Sequence, residues 1–599
     1  MIVPMKKYSI LLYHKDLTPF LSKLQDLGLL HIIETAETND IQKTNLLRIS
    51  QKEAVLKFLR RRIKTLKASG IVPEEPDHQG KGKSVYDAIV KLQTEYEQIN
   101  QHLISVNRDI KALEPWGEFG QEDKKKLEMS GLNIRFYRLG IDKLTEDFKE
   151  KYICEIISTS GNTANFIVLS RKDVNNFPEL EDIKLPESTL GSLIKERESE
   201  LVRKKEIDDL LDGFAWHSSG EVEKAMNDLI NETMLEKAGM NSVSVSEDLV
   251  KIVQGWIPEE KEQTLLEYLD EEGLVYIADK PSSEEMGKVP ILLKNNGFAK
   301  LFEPIARLFS LPSYTEIDLT AFFAPFYMMF FGLCLGDAGY GVVMIVAATA
   351  AKFKIKKADM RAILTLVQFL GLATVIAGAI TGTIFGVTLA ESSIIKSAET
   401  KGLFLTADEM FNLSIAIGLI QIIFGLLIKA FNITKQNSFI AALPTLGWVM
   451  MIIAGITAGA FPEIKSIAMI FVWIGLAAAM LFSTTGNIFK RLGLGIWDMY
   501  NNITGVFGDT LSYIRLFALG LSGSILGLVI NNIGEIFLDI PYVGWLVWLI
   551  FLLVGHTGNL LLCSLGSFVH PMRLTFVEFY KNAGWTGGGK EYKPFKKNA

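Results

Sequence analysis

Two arginines lie inside apolar sequence of membrane length. Arg515 sits in the middle of "LSYIRLFALGLSG", Leu511 to Gly523, and Arg573 follows His570 by three residues in "SFVHPMRLTF". A cation at the bilayer centre costs roughly 2.5–3.5 kcal/mol on insertion scales and about 10–17 kcal/mol in simulations of a lone helix. Such a residue calls for a counter-charge. A guanidinium stays protonated in proteins, so it attracts an ionised carboxylate without passing a proton on. Asp509 and Asp337 are the carboxylates at hand. Asp509, six residues before Arg515, is turned roughly 120° away from it at ~3.6 residues per turn, which makes it a poor partner within one helix. The face Arg515 does share carries Ser512, Ala518, Leu519 and Ser522, mostly small residues that let another helix approach closely. Arg573 can either snorkel from a helix end or close a polar track with Asn559, Gly566 and His570. Asp337 reads either as a turn cap beside Gly336 or as a functional acid. Asp509 and Gln421 are candidates to line an aqueous path or to bond a neighbouring helix. Cys154, Cys334 and Cys563 have no metal-ligand or disulfide spacing, and His14, His31, His78, His102 and His217 form no constellation.

The elements that must hold these groups divide the chain near residue 317. Before it, charge is dense and mixed; after it, apolar runs of membrane length alternate with short polar breaks. The averages over 599 residues, 49% hydrophobic and 22% charged with a net charge of −6, hide this split, and the charge argues against a nucleic-acid partner. The start, "MIVPMKKYSILLYHK", lacks the pattern of a cleaved leader, so the N-terminal region, 1–317, is expected in the cytoplasm. The membrane region, 318–599, is expected to cross eight times, at about 319–335, 338–354, 361–386, 408–431, 439–460, 464–485, 501–531 and 541–578. With "AFFAPFYMMFFGLCLGDAGYGVVMIVAATAA" as a hairpin, the basic segments "KFKIKKADMR", "KAFNITKQ", "FKRLG" and "KEYKPFKKN" fall on one side. The acidic segments "AESSIIKSAETKGLFLTADE" and "NNIGEIFLDIPY" fall on the other, as the positive-inside rule requires. The last two spans would run roughly 45 and 60 Å as helix against a core of about 30 Å, so they must tilt or emerge.

In the first region, "MKKYSILLYHKDLTPFLSKLQDLGLLHII" reads as strand, amphipathic helix, strand. Thin apolar seams over 41–66 and 85–113 predict a long antiparallel helical hairpin or coiled coil. A second α/β region is expected over roughly 130–280, with strands at "NIRFYRL", "YICEIIST" and "ANFIVLS", a helix over 190–238, and "LVKIVQGWIPEE" and "GLVYIADK" as its last strands. "GKGKS" imitates a phosphate-binding loop, but the pattern needs glycine where Asp77 stands and no strand precedes it. No nucleotide site is visible.

"DTLSYIRLFALGLS" followed by "GSFVHPMRLTFVEFYKNAGWTGGGKEYKPF" resembles the last two helices and tail of subunit a, or subunit I, of V/A-type rotary ATPases, in its prokaryote-type form. "LEPWGEF", "GWIPEE", "LPSYTEIDLTAFFAPFYMMFFGLCLGDAGYG" and "GLIQIIFGLLIKAFN" agree, and the resemblance spans the whole chain. It implies an α+β cytoplasmic region of two lobes joined by helical hairpins, then an all-α polytopic membrane domain with two long tilted final helices. It implies a stator that neither hydrolyses ATP nor binds a cofactor or metal, with Arg515 and Arg573 aimed at the carboxylates of a rotor ring of proteolipid subunits. It further implies ion half-channels, for which His570, Asn559, Ser512, Asp509, Asp337 and Gln421 are the candidate lining, and H⁺ or Na⁺ as the ion. Its partners would be the ring, peripheral-stalk heterodimers, the central-stalk socket subunit and the lipid bilayer of the cell membrane. Pro571 and Met572 stand where relatives commonly carry a small or polar residue and leucine; Asn501 and Cys563 stand where eukaryotic relatives carry acids. A competing class, a secondary transporter or channel with a cytosolic regulatory domain, predicts paired inverted repeats, and no second copy of the arginine-bearing segment is present.

Overall fold

A computed structural model describes residues 1–34, 40–76, 82–118, 121–141, 153–171, 183–245, 249–389, 404–482 and 488–598. The position of Asp77, most of the acidic loop 390–409 and the side chains of 489–492 lie outside the described residues. The chain forms two compact units, one of Met1–His14, Leu29–Ile33 and Ser244–Pro594, the other of Lys15–Gly28, Glu34–Val243 and Phe595–Ala599.

In the first unit, β1 (Met5–Tyr13) places Tyr8, Ile10 and Leu12 inward on one face, as a period of two dictates, while Met5, on the opposite face, is buried against Trp256, Val289 and Tyr592. Both its edges are taken by later strands. The sheet runs in the order β2 (His31–Ile32), β7 (Val250–Pro258), β1, β8 (Val275–Asp279), with the short β6 (Val243–Val245) on β7; the strands β3 to β5 belong to the other unit. This corrects one expectation: "LVKIVQGWIPEE" and "GLVYIADK" do not close a second α/β region but complete the sheet begun by the first strand. β7 pairs with β1 along its full length, Met5 against Pro258 through Tyr13 against Val250. Apolar alternation makes a strand legible but leaves open which edge it joins.

One polar cluster sits on that sheet. Lys6 Nζ lies 2.8 Å from both carboxylate oxygens of Glu262, and Tyr8 donates to the same group at 2.6 Å. These bonds, from Lys6 first and Tyr8 second, hold the Glu262 carboxyl below the usual carboxylate range. A depressed folded pKa gives stability that is present above the unfolded value, about 4.3, and is lost as pH falls through the folded one. Glu262→Gln is therefore expected to lower the melting temperature of the full chain by a few degrees at pH 7, the gap closing below pH 4. Equal differences at both pH values in a thermal melt would refute the linkage.

In the second unit, α1 (Leu17–Leu27) and three long helices, α2 (Asp40–Ser69), α3 (Gly82–Leu113) and α5 (Leu190–Met240), accompany a sheet in the order β3 (Leu132–Gly140), β5 (Thr163–Arg171), β4 (Cys154–Ser160); α4 (Gln121–Met129) packs by β3. The two arms predicted as a hairpin are both helical, but each packs mainly on α5 rather than on the other. Val55, Leu56 and Leu59 of α2 and Val85, Ile89, Ile99 and Leu103 of α3 share a core with Ile207, Leu211 and Phe214 of α5. Arg62 ties α2 to α5 through Asp208 and Asp212 at 2.6 and 2.7 Å. A seam that is thin on each arm is satisfied by the third helix.

After α6 (Glu262–Glu271) and α7 (Gly297–Phe309), the first unit continues as apolar helices: α8 (Thr320–Leu335), α9 (Ala338–Lys354), α10 (Ala358–Thr381), α11 (Ala407–Gln436), α12 (Phe439–Ala460), α13 (Lys465–Phe482), α14 (Ile488–Ile536) and α15 (Gly544–Arg573). Among the described residues, six stretches are long and apolar enough to cross a membrane: Ala358–Thr381, Ala407–Gln436, Phe439–Ala460, Pro462–Phe482, Gly493–Asp539 and Gly544–Asn582. α8 and α9 pass that test only together, bent by 120° at Gly336-Asp337. Each arm is roughly 24–26 Å long at ~1.5 Å per residue, short of a ~30 Å core. The described helices thus give six candidate spans, or seven with the bent pair as one; a count of eight requires each arm of that pair to cross separately. The hairpin tip is held by close backbone approach. A Cβ on Gly378 of α10 would lie 2.0 Å from the Ala338 nitrogen, and one on Gly371 would lie 3.0 Å from the Gly341 oxygen, the small-residue packing that membrane helices use.

Candidate functional site

The apolar stretches that contain α14 and α15, Gly493–Asp539 and Gly544–Asn582, are the longest among the described residues, and the two helices pack together with α8. Arg515, in the middle of α14, is half-buried, and its Nη1 is buried without a hydrogen-bond acceptor among the described residues. Neither carboxylate weighed as its partner reaches it. Asp509, 8% exposed, is bound by Lys581 Nζ at 3.2 and 3.3 Å and by Asn582 Nδ2 at 2.8 Å. Asp337, 1% exposed, caps α9 by accepting from the Tyr340 N–H, and it also accepts from the N–H groups of Phe385 and Gly386 at 2.9 and 2.7 Å.

Arg573 ends α15 with its side chain 57% exposed, and its Nε lies 4.0 Å from Oε1 of Glu578. Pro571 stands two residues earlier and has no N–H to donate. The helix continues through it and turns π-helical over Leu574–Phe579. That local change matters, because residues five apart lie roughly 140° apart on an α-helix but nearly stack where bonds run i to i+5. The π segment brings Glu578 under Arg573. Glu578 is 2% exposed and its Oε2 has no hydrogen-bond partner among the described residues. Ser512 of α14 is close enough to donate to it, and His570 lies within electrostatic reach of both Arg515 and Arg573. Ser512, Arg515, His570, Arg573 and Glu578 thus form one polar site across two helices. Glu578 was missed in the sequence because "LTFVEF" offers no periodic signal for a π-turn; the proline before it was the available hint.

Beside this site, Asn501, Asn502, Asp509, Lys581, Asn582 and Trp448 line a cavity of about 60 Å³, polar and large enough for water. Gln421 of α11, fully buried, accepts from Tyr513 Oη at 2.7 Å, and its Nε2 has no partner among the described residues.

Asn559 belongs to a different cluster, 14 residues or roughly 21 Å along α15 from Arg573. Its Nδ2 donates to Tyr340 Oη at 2.9 Å and to the Gly523 carbonyl at 3.2 Å, and its Oδ1 accepts from Cys563. Tyr340 Oη lies 2.8 Å from His556 Nδ1, and His556 Nε2 lies 2.9 Å from Asn531 Oδ1. Asn531 spends its amide N–H on the Phe385 carbonyl. Its oxygen can then only accept, which puts the imidazole proton on Nε2 and leaves Nδ1 to accept from Tyr340. Every donor in the chain points one way, tying α9, α14, α15 and the 383–388 turn together. Neither His556 nor Tyr340 carried a sequence signal, since each stands alone in an apolar run.

Long apolar helices carrying a guanidinium nitrogen and a carboxylate oxygen that are buried without hydrogen-bond partners among the described residues define a polytopic membrane protein with a charged site inside the membrane. No family model matches the chain. It is 25% identical over 631 residues to V-type ATP synthase subunit I of Borreliella burgdorferi, covering 100% of both chains, and 24% identical to the subunit of that name from Chlamydia trachomatis, covering 100% of this chain and 99% of the relative. A-type ATP synthase subunit I of Methanocaldococcus jannaschii is 31% identical over 394 residues, 59% of this chain and 56% of that one. A solved cytoplasmic N-terminal domain of subunit I, homolog of subunit a, of V-ATPase matches 46% of this chain and 99% of its own at 11% identity and a TM-score of 0.22, too slight a likeness to carry weight. The chain is thus similar, along its whole length, to proteins named V-type ATP synthase subunit I and, over more than half of it, to one named A-type ATP synthase subunit I.

Proposed function

We propose that this chain is the membrane stator of a V/A-type rotary ATPase, coupling ATP hydrolysis or synthesis elsewhere in the complex to H⁺ or Na⁺ movement without hydrolysing ATP itself. The observation that carries the reading is Arg515, whose buried Nη1 lacks an acceptor on a helix face where Ala518, Leu521, Ser522 and Ile525 are exposed. A cation left so inside the membrane takes its counter-charge from another chain, here a carboxylate on a rotor ring. Arg573, placed over Glu578, is the second contact. The water-sized pocket at Asp509 and Lys581 serves as one half-channel; His570 and Asn559 lie along the other. A protonated ring carboxylate can turn through lipid, whereas an ionised one is held at the arginines.

The division of labour falls near residue 317, with the N-terminal region and the C-terminus cytoplasmic and the α8–α9 hairpin entering and leaving the bilayer as two of eight spans. The N-terminal lobes bind peripheral stalks and the central-stalk socket. Cysteines placed singly at Leu521 and Ile525, in a chain whose three native cysteines are replaced, are expected to cross-link to the ring subunit in the assembled complex. A cysteine at the exposed Trp473 of α13 is not. No cross-link at 521 and 525, or an equal yield at 473, would overturn the placement.

A further inference from the structure

We infer that a cavity beside the last turns of α11 holds one phospholipid with an anionic headgroup. The cavity measures about 650 Å³, and its walls include Ile317, Phe322, Leu427, Ile428, Phe431 and Lys435. Leu427 and Phe431 are 43% and 64% exposed on an apolar span, so one wall is continuous with the surface that lipid chains cover. At the end of that span, where an apolar helix meets the headgroups, stands Lys435, exposed and without an ion pair among the described residues.

Two acids also border the cavity, Glu316 and Asp318, 8% and 5% exposed, and both are already occupied. Glu316 accepts from the backbone N–H groups of Ser313, Thr586 and Gly587 at 2.9, 2.6 and 3.2 Å and from the Thr586 hydroxyl. Asp318 accepts from the Thr320 N–H and hydroxyl at 2.9 and 2.6 Å and from Asn295 Nδ2 at 2.8 Å, and it pairs at 3.5 Å with the Met1 ammonium, the other cation on the cavity wall. Their lone pairs serve the 311–320 linker, Asn295, the Met1 ammonium and the turn at Thr586–Gly587, which leaves Lys435 as the cation on the cavity wall without an ion pair among the described residues. An acyl chain against Phe322, Ile428 and Phe431 with a phosphate on Lys435 satisfies both halves of the site. The inference needs α11 to span the membrane and is independent of the stator role.

The test is photolabelling of the full chain in its assembled complex, in vesicles containing either phosphatidylglycerol or phosphatidylcholine with a diazirine in the acyl chain. The 311–318 segment is the diagnostic one, because Ile317 lines the cavity from outside the membrane helices. Phosphatidylglycerol is expected to label it about fivefold more than phosphatidylcholine, the ~1 kcal/mol that one lysine near a membrane surface contributes. Lys435→Glu should abolish that preference, and Leu427→Trp, which fills the cavity, should remove labelling of 311–318 by both lipids. Equal labelling by the two lipids would refute the site. So would labelling confined to outer helix faces such as Ile467 and Ile470, which is annular contact only. Protection of 311–318 in the complex but not in the isolated chain would assign the cavity to a partner chain instead.

Discussion

Vesicles carrying the complex with Arg515→Ala are expected to show ATP-driven ion uptake reduced to background, with the complex still assembled. An arginine and an ionised carboxylate ~4 Å apart at an effective dielectric near 20 attract by about 4 kcal/mol, roughly a thousandfold in the equilibrium that strips the ion from its carrier. Alanine removes all of it. Arg515→Lys retains a charge but replaces the planar fork by a compact ammonium whose pKa falls readily on burial, so it is expected to restore little uptake. Assembly is less affected, because Arg515 makes no hydrogen bond through Nη1 that its loss would leave broken. Ion uptake and ATP hydrolysis should be measured on the same vesicles, with subunit content checked by gel. Normal coupled uptake in assembled Arg515→Ala complexes would sink the stator mechanism. Loss of both activities together with loss of the complex would show that the arginine is structural.

Asp337→Ala is expected to be the most destabilising single change away from that site. The carboxylate satisfies three backbone N–H groups, those of Tyr340, Phe385 and Gly386, at the tip of the α8–α9 hairpin. It also stands at the N-terminus of α9, where the helix dipole favours negative charge. Two of its donors belong to a turn with little freedom to rearrange. Phe385 and Gly386 have φ of 48° and 75°, and a Cβ at Gly386 would lie 2.3 Å from the backbone of Gly527 on α14. Alanine would leave three donors unpaired at roughly 1–3 kcal/mol each, at least about 3 kcal/mol in total. The readout is the thermal unfolding of the full chain in detergent. Asp337→Asn, which keeps one acceptor oxygen, should fall between alanine and the native residue. A melting temperature for Asp337→Ala within a degree of the native chain would refute this account of the tip.

Much of this is legible in the sequence. Strand β1, helix α1 and the apolar helices follow from periodicity and run length, which are local properties. The two arginines declared themselves by cost. What local pattern did not reveal is who pairs with whom. β7 and β8 alternate as strands should, yet they join β1 across some 240 residues. The arms α2 and α3 carry genuine seams, yet α5 fills both. Asp337, Asp509 and Asn559 all read as polar groups in apolar surroundings. Packing gives them different partners: backbone donors for the first, Lys581 and Asn582 for the second, and the Tyr340–His556 chain for the third.

The sequence alone determined that this chain has a charged N-terminal part and a membrane-length apolar part, with an arginine on each of its last two long helices, because hydrophobicity and charge act residue by residue. Tertiary structure decided which polar groups are occupied and which are left open. Among the described residues, Arg515 Nη1 and Glu578 Oε2 are open, and the carboxylates of Asp337 and Asp509 are not. The physical reason is that a buried polar group is defined by the atoms within about 3 Å of it, and for these two carboxylates those atoms come from α9, a turn almost fifty residues beyond Asp337, and Lys581 and Asn582 beyond the π segment.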